Sequence, residues 1–306
     1  MNKRRYEVYD VFTDKALAGN PLAVVLDAEG LDTHAMQAIA GEFNLSETIF
    51  VSPPQMPAHS ASARIFTPRI ELPFAGHPTV GAAICLYERD GGERNPSGAA
   101  ILVLEEKIGA VRCAVSNHAG KPAFAEIDLP RLPSPIPLSA EPELVAAALG
   151  LDARDIDLEN HRPSAWTAGV PYVCVPVRGL DAASRAAVNA EMWLEVAPRD
   201  GDILPSAYVY CRETVDDDTA FHARMFAPHD GILEDPATGS AAAAFAGAIH
   251  AFDAPVDGPN RYWIEQGIEM GRPSRIRLEI DIAQKAMTAA RIGGHAVKVA
   301  EGVLLA

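Results

Sequence analysis

The feature that most constrains the fold is an apolar run in the last third of the chain. Residues 234–240 (EDPATGS) form an acidic turn, and residues 241–249 (AAAAFAGAI) are small helix formers. This pattern predicts a helix capped by Thr238 or Ser240. Because no charged or histidine side chain follows before His250, the helix should be buried on all sides. Its first turn then leaves backbone N–H groups in an apolar setting, which favours an anion there.

The chain contains this pattern twice, which predicts an internal duplication. Residues 63–84 (ARIFTPRIELPFAGHPTVGAAI) resemble residues 223–244 (ARMFAPHDGILEDPATGSAAAA), and a weaker echo links residues 19–25 (GNPLAVV) to 169–175 (GVPYVCV). The matched landmarks are Arg64 and Arg224, 160 positions apart (224 minus 64), and Gly76 and Gly239, 163 positions apart (239 minus 76). Three matched blocks in the same order indicate one structural unit in each half.

Each half contains several short strand patterns around one apolar helix, so the fold class is α/β (α+β). Strands that cover a helix on every side must curl, which predicts two half-open barrels instead of flat sheets. The boundary should fall near residues 119–140, because residues 119–122 (AGKP) and 130–137 (PRLPSPIP) are typical of a linker.

Composition excludes several classes of partner. The net charge of −15 argues against nucleic acid and anionic membranes, and no segment approaches the length of a membrane span. Four cysteines lie scattered without a CxxC pair, so buried, inert thiols are expected. A cytoplasmic setting follows. The nine histidines are dispersed, without HExxH or a carboxylate cluster, so no metal site is predicted.

Two halves that face each other would bring both helix starts to one cleft between the domains. There they could hold a carboxylate and stabilise the enolate-like charge formed when a proton leaves the adjacent carbon. Glu47 is the candidate base, since a carboxylate just before an apolar strand is unusual for a solvated group. The alternative is that Glu47 and Ser46 complete a turn. His77 follows the glycine that opens the first helix and could be a neutral hydrogen-bonding group or a core histidine.

Two further residues precede or open the second helix. Asp235 is either a substrate ligand or a turn-and-cap carboxylate. Ser240 lacks the GxSxG elbow of a nucleophile, so it is predicted to donate a hydrogen bond to substrate, to cap the helix, or both.

Four blocks of the sequence resemble the phenazine-biosynthesis PhzF-like family. They are residues 44–48 (NLSET), 71–79 (ELPFAGHPT), 234–241 (EDPATGSA) and 266–274 (QGIEMGRPS), and the resemblance covers nearly the whole chain. It implies a diaminopimelate epimerase-like fold of two pseudo-symmetric domains, each a curled, mostly antiparallel sheet or half-barrel around a central buried helix. The last strand would return to the first domain, which gives an N-terminal repeat domain of residues 1–120 and 297–306 and a C-terminal one of 121–296.

The resemblance also implies an activity. It identifies a cofactor-independent isomerase, a homodimer, in which Glu47 moves a proton between carbons of trans-2,3-dihydro-3-hydroxyanthranilate, a small amino-cyclohexadiene carboxylate. The residues implied in substrate binding are Gly76, His77, Asp235, Gly239 and Ser240. Epimerases and racemases of this fold place a cysteine at the start of each central helix, where this chain has His77 and Ser240. Three hypotheses remain: a Glu47-dependent isomerase, a non-catalytic small-molecule binding or scaffold protein, and an amino-acid epimerase or racemase without thiols.

Overall fold

The computed structural model describes residues 3–92, 98–117, 120–198 and 203–305 of the chain. Residue 119, where the predicted linker begins, lies outside them. The strands are β1 (Lys3–Val11), β2 (Asn20–Val25), β3 (Glu47–Ser52), β4 (Ala61–Phe66), β5 (Glu71–Leu72), β6 (Ala99–Glu106), β7 (Gly109–Ser116), β8 (Phe124–Asp128), β9 (Ser134–Ile136), β10 (Ser164–Thr167), β11 (Pro171–Pro176), β12 (Ser206–Cys211), β13 (Phe221–Ala227), β14 (Ile232–Asp235), β15 (Gly258–Gln266), β16 (Ser274–Ala283) and β17 (Ala286–Leu305). The helices are α1 (Thr33–Phe43), α2 (Gly76–Arg89), α3 (Pro142–Ala148), α4 (Leu180–Arg185), α5 (Ala190–Val196) and α6 (Gly239–Asp253).

The chain forms two compact units. Unit 1 contains Met1–Pro130 and Gly293–Ala306, and unit 2 contains Arg131–Ile292. The folding domains predicted from the sequence, with limits at 120/121 and 296/297, stay a prediction. In the parts of the chain described above, no helix is both long and apolar enough to cross a membrane.

In unit 1 the strands surround α2. The pairings run from β1 to β2 (antiparallel), β3 (parallel), β4 (antiparallel), β6 (parallel), β7 and β8 (both antiparallel). Because β17 pairs with both β1 and β8, the strands form a closed ring, a more complete enclosure than the predicted half-barrel. The helix α2 approaches β1 and β2 closely at Gly81, where a Cβ atom would lie 2.5 Å from the Leu22 side chain.

In unit 2 the pairings run from β9 to β10 and β11 (both antiparallel), β12 (parallel), β13 (antiparallel), β15 (parallel) and β16 (antiparallel). The central helix α6 packs Phe245 against Tyr208, Tyr210 and Phe221. The shorter helices α3, α4 and α5 share a second apolar cluster with β11 and β12, which includes the buried Trp193. The apolar helix predicted in the last third of the chain is confirmed, because α6 is a buried element.

The predicted linker at residues 130–137 is partly wrong, because Ser134–Ile136 form strand β9. This strand pairs antiparallel with β10, with Ile136 opposite Ala165. Pro135 lacks an N–H donor, but the pairings described for β9 lie on one side only, and a strand at a sheet edge tolerates proline. Proline spacing alone does not reveal such a strand. The four cysteines are free and buried, as predicted.

Candidate active site

Glu47 is held at the start of β3 by the turn that ends α1. Asn44 occupies the C-cap of α1 in the left-handed region (φ 51), and its backbone N–H bonds the Ala40 carbonyl. The chain then enters β3, which runs parallel to β2 with Leu22 opposite Glu47. The Glu47 side chain is only 13% exposed. It is a largely buried carboxylate and not the solvated surface group of an ordinary turn.

His77 is the second residue of α2, and its ring lies against Glu47. Its Nδ1 lies 3.3 Å from Oε2 of Glu47 and 3.5 Å from Nδ2 of Asn20, which is fully buried at the start of β2. The N-cap of this helix is Ala75, which has no side-chain hydrogen bond to offer. The first turn of α2 therefore has no side-chain cap, and a histidine and a glutamate are packed beside it.

The imidazole of His77 is neutral. Burial lowers its pKa to about 3, and the positive end of the helix also disfavours a cation at this position. A neutral ring carries one donor and one acceptor nitrogen. With Nδ1 beside Glu47, the Nε2 atom is buried and has no hydrogen-bond partner among the described residues. The neutral ring of His77 therefore keeps one nitrogen that can donate or accept a further hydrogen bond.

The start of α6 in unit 2 is built from a hydrogen-bonded loop. Thr238 is the N-cap, one of the two predicted positions, but its side chain does not cap the helix. Its hydroxyl lies 2.6 Å from Oδ2 of the buried Asp235. The amide of Gln266 donates to the Asp235 carbonyl (2.7 Å) and to Thr238 Oγ1 (3.0 Å), and it accepts from the Thr238 N–H (3.2 Å). Asp235 is thus fixed at the end of β14.

The loop before α6 also depends on Gly267 and Tyr172. Gly267 has φ +76°, and a Cβ atom there would lie 2.5 Å from the Pro236 carbonyl, so only glycine fits. Ser240, the second residue of α6, has its hydroxyl 2.7 Å from the Tyr172 hydroxyl of β11. The backbone close to Asp235 and the side chain of Ser240 are both held by neighbouring strands.

The predicted site residues fall into two groups. Glu47, Gly76 and His77 lie together in unit 1. Asp235, Gly239 and Ser240 lie around the start of α6 in unit 2, and the two glycines are the first residues of their helices.

Sequence reasoning missed three residues that contact these groups: Asn20, Tyr172 and Gln266. The echo between residues 19–25 and 169–175 contains Asn20 and Tyr172, so it is a signal for both.

In the described ranges of the chain, no group of three or more histidine, cysteine, aspartate or glutamate residues could hold a metal ion.

Known proteins resemble this chain over its full length. The model of the PhzC-PhzF family, described as phenazine biosynthesis-like protein, matches residues 9–302. An uncharacterized isomerase of Mesorhizobium japonicum is 61% identical, with 99% of each chain covered. The trans-2,3-dihydro-3-hydroxyanthranilate isomerase of Pseudomonas aeruginosa is 37% identical over 97% of this chain and 98% of its own. A Bacillus anthracis phenazine biosynthesis protein of the PhzF family is 28% identical, with a TM-score of 0.87 and complete coverage of both chains.

Proposed function

Because the chain belongs to the PhzF family of phenazine biosynthesis-like proteins and is an isomerase, we propose that it moves a proton on a small carboxylate with Glu47 as acid and base. The observation that carries the proposal is the contact of 3.3 Å between Glu47 and His77 beside the uncapped start of α2. A carboxylate, a neutral imidazole and free backbone N–H groups are what abstraction of a proton next to a carboxylate requires.

The proposed step balances without a co-reactant. The Glu47 carboxylate removes a proton from one carbon, the resulting charge spreads into the substrate carboxylate, and Glu47 returns the proton to another carbon of the same molecule. His77 donates or accepts a hydrogen bond and stays neutral throughout, which fits its depressed pKa. Neither a metal nor an organic cofactor is part of this proposal.

Residues of unit 2 are assigned to substrate binding in the proposal. Asp235, Ser240 and the N–H group of Gly239 supply an acceptor and donors whose positions are fixed by Gln266 and Tyr172. The strand pairings alternate between antiparallel and parallel in the same order in both units, from β1 to β7 in unit 1 and from β10 to β16 in unit 2. This agreement supports pseudo-symmetric units. The proposal includes a homodimer because the family resemblance implies one. Sedimentation of the purified chain tests this oligomeric state.

The trial substrate is trans-2,3-dihydro-3-hydroxyanthranilate, on which the Pseudomonas aeruginosa relative acts by name. We expect the chain to convert this compound, or another small cyclic carboxylate of a panel, in D₂O, with deuterium entering at the carbon that receives the proton. Proton NMR follows both events. Ligand binding without conversion across the panel would instead identify a binding protein, and inversion at one carbon without a double-bond shift would identify an epimerase.

The Tyr172 hydroxyl is predicted to hold Ser240 for substrate binding. In Tyr172→Phe, loss of one hydrogen bond should raise KM by about 2- to 10-fold with a smaller change in kcat. Tyr208→Phe is the matched control, because the Tyr208 hydroxyl is buried on the neighbouring strand and has no hydrogen-bond partner among the described residues. Equal effects of the two variants on KM would contradict the role of Tyr172.

A further inference from the structure

A buried carboxyl group that the proposed mechanism does not use lies beside the first turn of α2. Glu106 is the last residue of β6 and is only 8% exposed. Its Oε1 lies 2.7 Å from the Thr79 hydroxyl, and its Oε2 is buried without a hydrogen-bond partner among the described residues. Thr79 belongs to the first turn of the helix that starts at Gly76. An acid in this position needs an explanation, because burying a carboxylate away from a cation is costly.

Both short contacts of the Thr79 hydroxyl can contain a proton only if Glu106 is protonated. Thr79 Oγ1 lies 2.7 Å from the carbonyl oxygen of Ala75 and 2.7 Å from Oε1 of Glu106. The hydroxyl has one proton, so it can donate to only one of these two acceptors. A protonated Glu106 donates to Thr79 Oγ1, while Thr79 donates to Ala75. The proton of the Glu106 carboxyl group and the proton of the Thr79 hydroxyl then each lie between two oxygen atoms.

Unit 2 has a related arrangement with an amide in place of the acid, in which the threonine is the N-cap of α6 and not, as in α2, the fourth residue of the helix. Thr238 Oγ1 donates to Asp235 and accepts from the Gln266 amide. Gln266 is the last residue of β15, as Glu106 is of β6. With Glu106 protonated, both residues are hydrogen-bond donors to a threonine at the start of a central helix.

The strand registers make Glu106 and Gln266 equivalent. In unit 1, Ser62 of β4 is paired with Glu105, and in unit 2, His222 of β13 is paired with Glu265. Each pair is displaced by 160 positions (222 minus 62 and 265 minus 105), and so are Glu106 and Gln266 (266 minus 106). The glutamates that precede these two residues also accept equivalent hydrogen bonds. Glu105 accepts the N–H groups of Gln55 and Met56, and Glu265 accepts those of Val215 and Asp216, again 160 positions away.

We propose that Glu106 is a positioning residue which, as an uncharged acid, holds the start of α2 in the way that the Gln266 amide holds the start of α6. Ionisation of Glu106 would remove its donor to Thr79 and put a negative charge next to the helix start. That charge would oppose a carboxylate ligand at the same place. The part that concerns the ligand rests on the function proposed above, whereas the role of Glu106 in the helix start does not.

The surroundings of Glu106 single it out as the titrating group. Burial raises its pKa to about 8, and the hydrogen bond with Thr79 offsets only part of this rise. On α2, His77 has a pKa of about 3, and on β7 burial raises the pKa of the Cys113 thiol beyond the alkaline range. The inward residues of β4 carry no charge. The charged groups near this end of the sheet form ion pairs of their own: Arg64 and Lys107 with Glu71, and Arg112 with Asp128.

The test is a pH titration of the backbone amides of Gly76, His77 and Thr79 by ¹H–¹⁵N NMR between about pH 6 and pH 10. We expect these signals to shift with one midpoint near pH 8 in the wild-type chain and to show no such midpoint in Glu106→Gln. Gln266→Glu is the mirror variant, and it should create a titration at the Thr238 amide. Flat wild-type signals, or the same midpoint in Glu106→Gln, would overturn the proposal, and the wild-type titration decides even if a variant does not fold.

Kinetics separates this inference from the proposed function. For the converted substrate, kcat/KM of the wild type should fall by about tenfold per pH unit above the midpoint, since each unit lowers the protonated fraction tenfold. Glu106→Gln should keep the activity at neutral pH and lose this decline, whereas Glu106→Leu should lose activity at both pH values. An amide titration as expected together with no turnover of any substrate would refute the isomerase and leave the role of Glu106 intact. A decline that persists in Glu106→Gln would contradict the role in ligand binding.

Discussion

Glutamine in place of Glu47 should lower the rate of isomerisation by about 10²- to 10⁴-fold, the usual contribution of a positioned general acid or base. The amide has nearly the same shape but cannot accept a proton from carbon. Its contact with His77 can persist, because the imidazole offers either a donor or an acceptor at Nδ1. The loss should therefore appear in kcat, with a small change in substrate binding measured by calorimetry.

The matched control is Glu42→Gln, which removes the same charge from an exposed position on α1. It should leave both kcat and KM unchanged. Deuterium incorporation measured in parallel distinguishes the roles of Glu47, because a base that shuttles the proton is needed for exchange as well as for conversion. Exchange at the wild-type rate in Glu47→Gln would remove Glu47 from the reaction and with it the proposed mechanism.

His77 should add no pH dependence to this reaction in the neutral range. Its pKa of about 3 keeps the ring neutral well above that value, so the imidazole is in one state throughout. A loss of activity on the alkaline side therefore points to a group other than His77, and Glu106 is the one beside the same helix turn whose pKa lies near 8. The two residues are thus separable by the pH at which each changes charge.

The central helices could be predicted from sequence because their signal is local. A run of small apolar residues after a glycine indicates a buried helix, whatever surrounds it, and Gly76–Arg89 and Gly239–Asp253 both fit that pattern. Glu47 and His77 are candidates for the same local reason, since each is an unusual residue type for its place. Their contact across 30 positions (77 minus 47) follows only from the packing of β3 beside α2.

The features of the fold and of the site that could not be predicted from the sequence depend on pairing between distant strands. The short strand Ser134–Ile136 has two prolines beside it and becomes a strand only through β10. Tyr172, Gln266 and Glu106 look like ordinary strand residues, and their roles appear only when a hydroxyl or an amide on another element lies within hydrogen-bond distance. The duplication predicted from the sequence relates two of them, because an offset of 160 positions connects Glu106 to Gln266 as it connects Arg64 to Arg224.

The largest expected effect on stability comes from His222. Its ring is fully buried in unit 2, with Nδ1 2.8 Å from Glu265 and Nε2 3.0 Å from Glu269. Burial alone lowers the pKa of His222, but the hydrogen bonds to the two carboxylates outweigh it and raise the pKa to about 9. In His222→Leu the two carboxylates lose their shared cation, so the free energy of unfolding should fall by about 3–5 kcal/mol. His34→Leu, at an exposed position on α1, is the control.

The dependence on pH distinguishes an ion cluster from simple packing. A histidine whose folded pKa is raised to about 9 stabilises the fold fully below its unfolded value of about 6.5, and this contribution is lost as the pH rises through 9. The lowered pKa values of Glu265 and Glu269 have the opposite sign, since their contribution is lost as the pH falls below the ordinary carboxyl range. The free energy of unfolding, measured with urea, should therefore differ most between the wild type and His222→Leu at mildly acidic to neutral pH. This difference should shrink toward pH 10. A difference that does not vary with pH would mean that His222 acts through its volume alone, because only a charged imidazole ties the two glutamates together.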